Sequence, residues 1–505
     1  MVSSTKRAAP KSTPIASVAG RPSPRSKTEI TGPSTAIDGR SGKRPGSQLG
    51  LRTVPGRAKA VRSLQKAPCA HTAGDRTVDP VPAGFVADRR CPGPRLAPRE
   101  LAPSLSRRDD GPMSKARLMR AGRLDAFGTT VFAEMSARAA ELGAVNLGQG
   151  FPDEPGPHEV LDAAVAAMRA GQNQYAPGRG VPELRSAIAR HAKRYYGQAV
   201  EPESEVLVTA GATEAIAATV LALCSKGDEV VVFEPFYDSY AATIELAGAT
   251  LRPVRLRAPD WSFDEAELRA ALNERTRLLL LNTPHNPTGR VFSRDELLLV
   301  AELCREHDVI AVTDEVYEHL VFGGPAGPVV HERLACLEGM SERTVTISSA
   351  GKTFAVTGWK VGWIIAPARL VSSITAVKQF LTFTNGTPLQ FGVAAGLGLP
   401  AERIAEAARA LGERRDLFCG GLANLGWPVL LPEATYFCSV DISGLGAGDG
   451  AAFCLELLER VGVAAIPMSA FYKESPSGGG EHLVRFAFCK ARAVLEEALD
   501  RLGRW

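Results

Sequence analysis

From about Leu124 onward, short apolar runs of four to six residues alternate with stretches of helical periodicity, and few architectures accept that pattern. Residues 206–209, 229–233, 278–281, 309–313 and 344–347 read as strands, and 213–223 and 295–307 as helices. The strands are apolar through most of their length rather than alternating, so both faces of each are expected to be covered. Strands of that kind, joined through helices, form βαβ units in a mostly parallel sheet. After about Gly392 the pattern becomes helix-rich, with a later pair of strands near 436–440 and 483–488. The expected fold class is therefore α/β: a large domain (151–392) around a mostly parallel central sheet, and a smaller α+β domain (393–505). An arm at 113–150 is expected to pack with the smaller domain.

Residues 1–112 have another texture, rich in Pro, Gly, Ser, Thr and Arg without sustained apolar periodicity. Such a segment cannot bury enough apolar surface to offset its ordering entropy, and disorder is expected. It carries 21 Lys/Arg against 8 Asp/Glu, whereas the rest of the chain carries 38 against 47. The net charge of +4 thus comes from the extension, and it is no argument for binding nucleic acid. No apolar core follows a charged start, so the segment is not read as a secretory signal. Met113-Ser114-Lys115-Ala116-Arg117, after Gly111-Pro112, looks like a protein start. The expectation is that the natural chain begins there and that 1–112 is upstream reading frame. No eighteen-residue apolar run is present, so no membrane span is expected. Nine cysteines without a CxxC pair argue against zinc and for reduced thiols in the cytoplasm.

Three segments carry candidate chemistry. Ser348-Ser349-Ala350-Gly351-Lys352 ends an apolar run with a lysine among small residues, where a bulky planar group could approach, and a second cation, Lys360, follows in a Gly-rich turn. Asn282-Thr283-Pro284-His285-Asn286-Pro287-Thr288-Gly289 follows the strand at 278–281, at the sheet end where ligands bind in parallel α/β folds. Its Pro and Gly also make it a respectable plain turn. Thr313-Asp314-Glu315-Val316-Tyr317 follows a third apolar strand; a half-buried carboxylate there needs a cationic partner, although Asp314 would also serve as a helix N-cap.

Taken in this order, with Asn146-Leu147-Gly148-Gln149-Gly150-Phe151-Pro152-Asp153 and Asn173-Gln174-Tyr175, the motifs resemble those of the fold-type I, class I aminotransferases, the kynurenine, glutamine and methionine branch in particular. The resemblance spans about residues 120–502. It implies the aspartate-aminotransferase-like fold and pyridoxal 5′-phosphate (PLP) as cofactor. Lys352 takes the place of the Schiff-base lysine, whose freed amine moves the substrate Cα proton. Asp314 takes that of the carboxylate paired with the pyridine nitrogen. Asn286 and Tyr317 would bond the cofactor's phenolic oxygen, and Tyr237 would stack on its ring. Ala212 and Thr213, opening a helix, would hold the phosphate with Ser349 and Lys360. Tyr175 matches the tyrosine that reaches the phosphate of a neighbouring subunit, which implies a homodimer with shared active sites. Arg485, in an otherwise apolar strand, would bind the substrate α-carboxylate, and Gly150 would leave room for the substrate.

The implied partners are small molecules, an L-amino acid and a 2-oxo acid, exchanged by a ping-pong mechanism; no metal site, nucleic acid or membrane is expected. Phe151, Phe354, Phe383, Phe471 and Tyr472 suggest an apolar pocket for methionine, glutamine, aromatic or kynurenine-like side chains. An N-succinyl-diaminopimelate aminotransferase and a carbon–sulfur β-lyase are the alternative activities. A ligand-sensing regulator behind a DNA-binding segment is disfavoured by the Pro/Gly content of 1–112.

Overall fold

The computed structural model of the 505-residue chain describes residues 122, 127–324, 327–446, 448–473 and 480–505. The expectations for 1–112 and for a start at Met113 lie outside these residues.

Seven strands build the central sheet: β2 (Val206–Thr209), β3 (Glu229–Glu234), β4 (Thr250–Arg255), β5 (Thr276–Asn282), β6 (Ile310–Asp314), β7 (Thr344–Ser349) and β8 (Gly362–Ile365). Their order is β2-β8-β7-β6-β5-β3-β4, and only β8 runs against its neighbours. The run of four leucines in β5 shows why both faces are covered. Leu279 and Leu281 join Val231, Phe233 and Ala311 beneath Leu297, Val300 and Leu303 of α7 (Arg294–Glu306). Leu278 and Leu280 join Val230, Val232 and Val312 on the other face. There they meet Ile216 and Val220 of α4 (Gly211–Leu223), Ile244 of α5 (Ser239–Leu246) and Ile374 of α9 (Ala368–Leu381). A third cluster packs α2 (His158–Arg169), α3 (Pro182–Tyr196) and α10 (Thr387–Leu397) on Val206, Val208, Trp363 and Ile365. The remaining helix of this region, α6 (Glu265–Ala271), starts from Asp264, whose carboxylate accepts from Ala266 N.

A second sheet, of order β12-β13-β10-β9, lies in the C-terminal part: β9 (Val429–Leu430), β10 (Phe437–Asp441), β12 (Ile466–Pro467) and β13 (Leu483–Ala487). Phe486 of β13 packs on Phe418 of α11 (Ala401–Asn424), with ring centroids 5.8 Å apart. Helices α12 (Gly450–Val461) and α13 (Arg492–Leu502) complete that core with Leu457, Leu458 and Leu495. Strand β1 (Val145–Asn146), which follows α1 (Val131–Leu142), pairs in parallel with β11 (Val463–Ala464). The chain ahead of the large sheet is thereby hydrogen-bonded to the C-terminal part.

The register places the site. Asn282 at the end of β5 lies beside Asp314 at the end of β6, and Asp314 lies beside Ile347 of β7. Lys352 follows on the short helix α8 (Ala350–Thr353). The loop after β5 closes against the C-terminal part at Gly289, whose carbonyl accepts from Glu433 N at 3.0 Å and Ala434 N at 2.8 Å. Gly289 has φ +75°, and a Cβ there would stand 2.3 Å from Pro432 Cβ. Gly289→Ala is expected to destabilise the protein by about 2 kcal/mol or more, through strain and overpacking together. Ser293→Ala, which removes one half of the α7 capping box, should cost about 1 kcal/mol. Denaturant midpoints of the two variants check the ranking; equal midpoints would mean that the loop yields.

Candidate active site

A cleft of about 480 Å³ opens over the carboxyl ends of β5, β6 and β7. Of the twelve residues singled out from sequence, eleven line it; Tyr175 does not.

Lys352 is half-buried, and its Nζ donates to Tyr436 Oη at 2.7 Å. Tyr436 in turn donates to the Gly150 carbonyl at 2.6 Å, which Lys352 Nζ reaches at 3.4 Å. Loss of hydration pulls the ammonium down to a pKa of about 8. Arg485 and Lys360 push the same way, against Cys489 and Asp314. Asp314 is buried, and burial lifts its carboxyl to about 6 although Tyr240 Oη donates to Oδ2 at 2.6 Å. Asn282 Nδ2 and Thr283 N both donate to the Asp314 carbonyl, at 2.7 and 3.1 Å, and Asn286 N donates to Asn282 Oδ1 at 2.7 Å. Asn282 thus sets the turn that carries Asn286.

Arg485 projects from β13 between aromatic rings, with its guanidinium carbon 3.9 Å from the Phe437 centroid and 4.6 Å from that of Phe471. Its Nη1 donates to Asn286 Oδ1 at 2.8 Å and its Nη2 to the Gly148 carbonyl at 2.9 Å. Its buried Nε has no hydrogen-bond partner among the described residues. Burial lowers its pKa to about 10, so it stays a cation near neutrality.

At the other end of the cleft, helix α4 starts at Gly211 with no side-chain cap. A Cβ on Gly362 would stand 2.6 Å from Gly211 C, and one on Gly211 would stand 3.4 Å from Lys360 Nζ. The two glycines let β8 and Lys360 close on the helix start, where N–H groups and the helix dipole favour an anion. Lys360 holds a left-handed conformation, φ 53°, and its carbonyl accepts from Asn385 Nδ2 at 3.1 Å. Thr213, hydrogen-bonded with Tyr237, and the buried Ser349 complete this corner. Tyr317, also buried, meets the Tyr436 ring edge-on at 5.4 Å.

One expectation gains a second reason, and another needs correction. Gly150 lines the cleft, and its neighbours also call for glycine: a Cβ would stand 2.5 Å from Phe437 and 2.7 Å from Tyr436 ring atoms. Of the five aromatics read as pocket walls, only Phe151 lines the cleft. Phe354 faces a neighbouring cavity on the other side of Lys352, Phe383 packs on Tyr175, and Phe471 lies buried against Phe132. Tyr472 lines a second cavity. Phe132 and Phe437 are the walls that sequence reasoning missed, together with Tyr240, Tyr436 and Asn282. Tyr240, three residues beyond Tyr237 in a helix, carried a spacing signal; Tyr436, 84 residues from Lys352, carried none. Away from the cleft, His191, Glu318 and His319 bring their ligand atoms within 4.8 Å. The Glu318 carboxylate there already accepts from Arg333 and Ser348.

An aldehyde that bears a phosphate and a basic ring nitrogen suits this donor set. Lys352 offers an amine poised for deprotonation, Asp314 a buried acid, and the uncapped helix with Lys360 an anion seat; the groups present fit PLP. Such a cleft, in a sheet of this topology, defines an enzyme that handles amino groups through PLP. The chain belongs to the class I and II aminotransferase family, whose model matches residues 143–502. It is 48% identical to a probable N-succinyldiaminopimelate aminotransferase of Mycobacterium tuberculosis, over 76% of this chain and 98% of the relative. The solved structure of the M. tuberculosis enzyme superposes with a TM-score of 0.74, at 48% identity, over 76% of this chain and 99% of that one. The methionine aminotransferase of Escherichia coli is 39% identical over 77% of this chain and 99% of its own length. Human kynurenine–oxoglutarate transaminase 1 is 36% identical over 77% and 99%. The protein is a PLP-dependent aminotransferase with the aspartate-aminotransferase-like fold.

Only the neutral amine attacks an aldehyde, so protein stripped of cofactor should take up PLP faster as pH rises through about 8, and level off above it. Stopped-flow absorbance checks this. A rate that keeps climbing through the ordinary lysine range, near 10.5, would show that Lys352 is not depressed.

Proposed function

We propose that the cleft transfers the amino group of an L-amino acid with an uncharged thioether or aromatic side chain to a 2-oxo acid. The observation that carries this reading is the distribution of charge. Among the described residues lining the cleft, the cations are Lys352, Lys360 and Arg485. In this reading all three serve the cofactor or the α-carboxylate, which leaves none for a second substrate carboxylate. The aromatic walls, Phe132, Phe151 and Phe437, are apolar, and beside them Thr130, Gln149 and Asp238 bring polar groups but no cation.

PLP, when bound, supplies an electron sink for the bond to the substrate Cα hydrogen. Lys352 would hold the cofactor and, once its amine is free, would carry the proton from the substrate Cα to the cofactor's aldehyde carbon. Its hydrogen bond to Tyr436 keeps Nζ directed into the cleft. Asp314 would keep the ring nitrogen protonated, Tyr237 would cover the ring, and Asn286 and Tyr317 would bond its phenolic oxygen. Ala212, Thr213, Ser349 and Lys360 would seat the phosphate. Arg485 orients the substrate carboxylate, for which its partnerless Nε is suited, while Asn286 and Gly148 hold the guanidinium flat. Domains at 151–392 and 393–505, the latter joined by the arm at 113–150, would meet at this cleft.

Tyr175 is 83% exposed and reaches nothing in its own cleft, which supports its service to the phosphate of a second subunit in a homodimer. The seven described cysteines are all free, which supports a cytoplasmic enzyme.

A second reading takes the longer N-succinyl-diaminopimelate as donor. It is favoured by the M. tuberculosis relative. It is also favoured by a neighbouring cavity of about 890 Å³ that shares Thr130, Phe132 and Asp238 with the cleft and extends to Lys473.

Single amino acids added without acceptor should bleach the yellow band of the cofactor-loaded protein, with methionine and phenylalanine ahead of aspartate. Bleaching by N-succinyl-diaminopimelate alone would select the second reading; bleaching by none would sink both. Mixing inactive Lys352→Ala with Tyr175→Ala protein should restore activity that neither has alone. A mixture that stays at the level of its parts would rule out the shared site.

A further inference from the structure

Reading the cleft as a PLP site leaves one buried hydroxyl without a part, and the inference drawn from it rests on that reading. Tyr240, the second residue of α5, is buried, and its Oη donates to Asp314 Oδ2 at 2.6 Å. The second carboxylate oxygen has only a long contact, 3.4 Å from Val316 N, and is the one available to a ligand. The charged groups facing Asp314 are few. Lys352 comes from α8, and Glu315 directly follows the end of β6. Glu315 is itself held by His331 at 3.1 Å and Arg333 at 3.0 Å. The Tyr240 ring also meets Tyr237 edge-on, with planes at 90° and centroids 5.8 Å apart. One side chain therefore supports both the acid and the ring-stacking residue. An unassisted carboxyl in such surroundings goes to its neutral form, and a neutral acid does not hold a pyridine nitrogen protonated.

We propose that Tyr240 is a positioning residue for amino-group transfer: its hydroxyl keeps Asp314 ionised and turns the opposite carboxylate oxygen toward the cofactor's ring nitrogen. The protonation of that nitrogen is then set from α5, through a group that acts on the cofactor by way of Asp314.

The test compares wild type, Tyr240→Phe and Tyr240→His, each loaded with PLP or with 1-deaza-PLP, in which carbon replaces the ring nitrogen. The readout is the pH midpoint of the yellow cofactor–lysine band, which a positive ring charge lowers. With PLP, Tyr240→Phe should raise the midpoint by about one unit or more and lower kcat about tenfold or more, with KM little changed. With 1-deaza-PLP, Tyr240→Phe and wild type should share one midpoint. Tyr240→His, which keeps a donor, should stay close to wild type. An unchanged midpoint with PLP, or an equal shift with both cofactors, would overturn the proposal. So would loss of the cofactor-free fold in both variants, because the hydroxyl would then be structural. Wild-type protein that forms no yellow band at all would instead refute the underlying PLP reading.

Discussion

A parallel sheet covered on both faces has no place for a charged side chain except at its ends, and the site of this protein follows from that constraint. Every residue of β6 and β7 is buried, and β5 exposes only Arg277, near its start. A charge within those strands would lie in apolar packing on one face or the other, at a cost of several kcal/mol. Polar groups therefore gather where the strands stop: Asn282, Asp314 and Ser349 close three adjacent strands. The same burial that makes the strands apolar then acts on the groups at their ends. It raises Asp314 and lowers Lys352, so that acid and amine both titrate nearer neutrality than they would in water.

The second requirement is that two separately built parts converge. Arg485 comes from β13, in the smaller sheet, and its hydrogen bonds reach Asn286 of the loop after β5 and Gly148 just beyond β1. Gly150 and Tyr436 bring the same two regions onto Lys352. The pairing of β1 with β11 fixes the N-terminal stretch to the C-terminal part, so the Gly148–Gly150 carbonyls reach the cleft from that side. Glycine at position 150 is needed because the aromatic rings of Tyr436 and Phe437 occupy the space where a Cβ would stand. Packing between two parts is enough to require glycine there.

The anion corner uses backbone where the amine corner uses side chains. Gly362 lies so close to Gly211 that a Cβ on it would clash, and Lys360 accepts a left-handed backbone in order to face the start of α4. Asn385 fixes that conformation, bonding the carbonyls of both Lys360 and Thr209. Strain of this kind persists where surrounding groups over-determine it.

The α/β class, the buried strands and the cleft residues Asn286, Asp314, Tyr317, Ser349, Lys352 and Lys360 could be read from the chain because each depends on local pattern. An apolar run must be a covered strand, and the polar residues just after it must lie at its end. Arg485 was legible for the same reason, as a charge stranded in an apolar strand. Residues joined only by long-range packing were not legible. Tyr436 meets Lys352, and Phe132 and Phe437 wall the cleft, because of how the two sheets and the first helix come together. The aromatics chosen from sequence were dispersed to other cavities and cores, since an aromatic residue satisfies a core and a pocket equally well. The sequence by itself determined which groups stand at the strand ends and what chemistry they can perform. Only the tertiary structure decided which hydroxyl meets which carboxylate and which ring walls the cleft, because those contacts join segments whose separation along the chain carries no periodic signal.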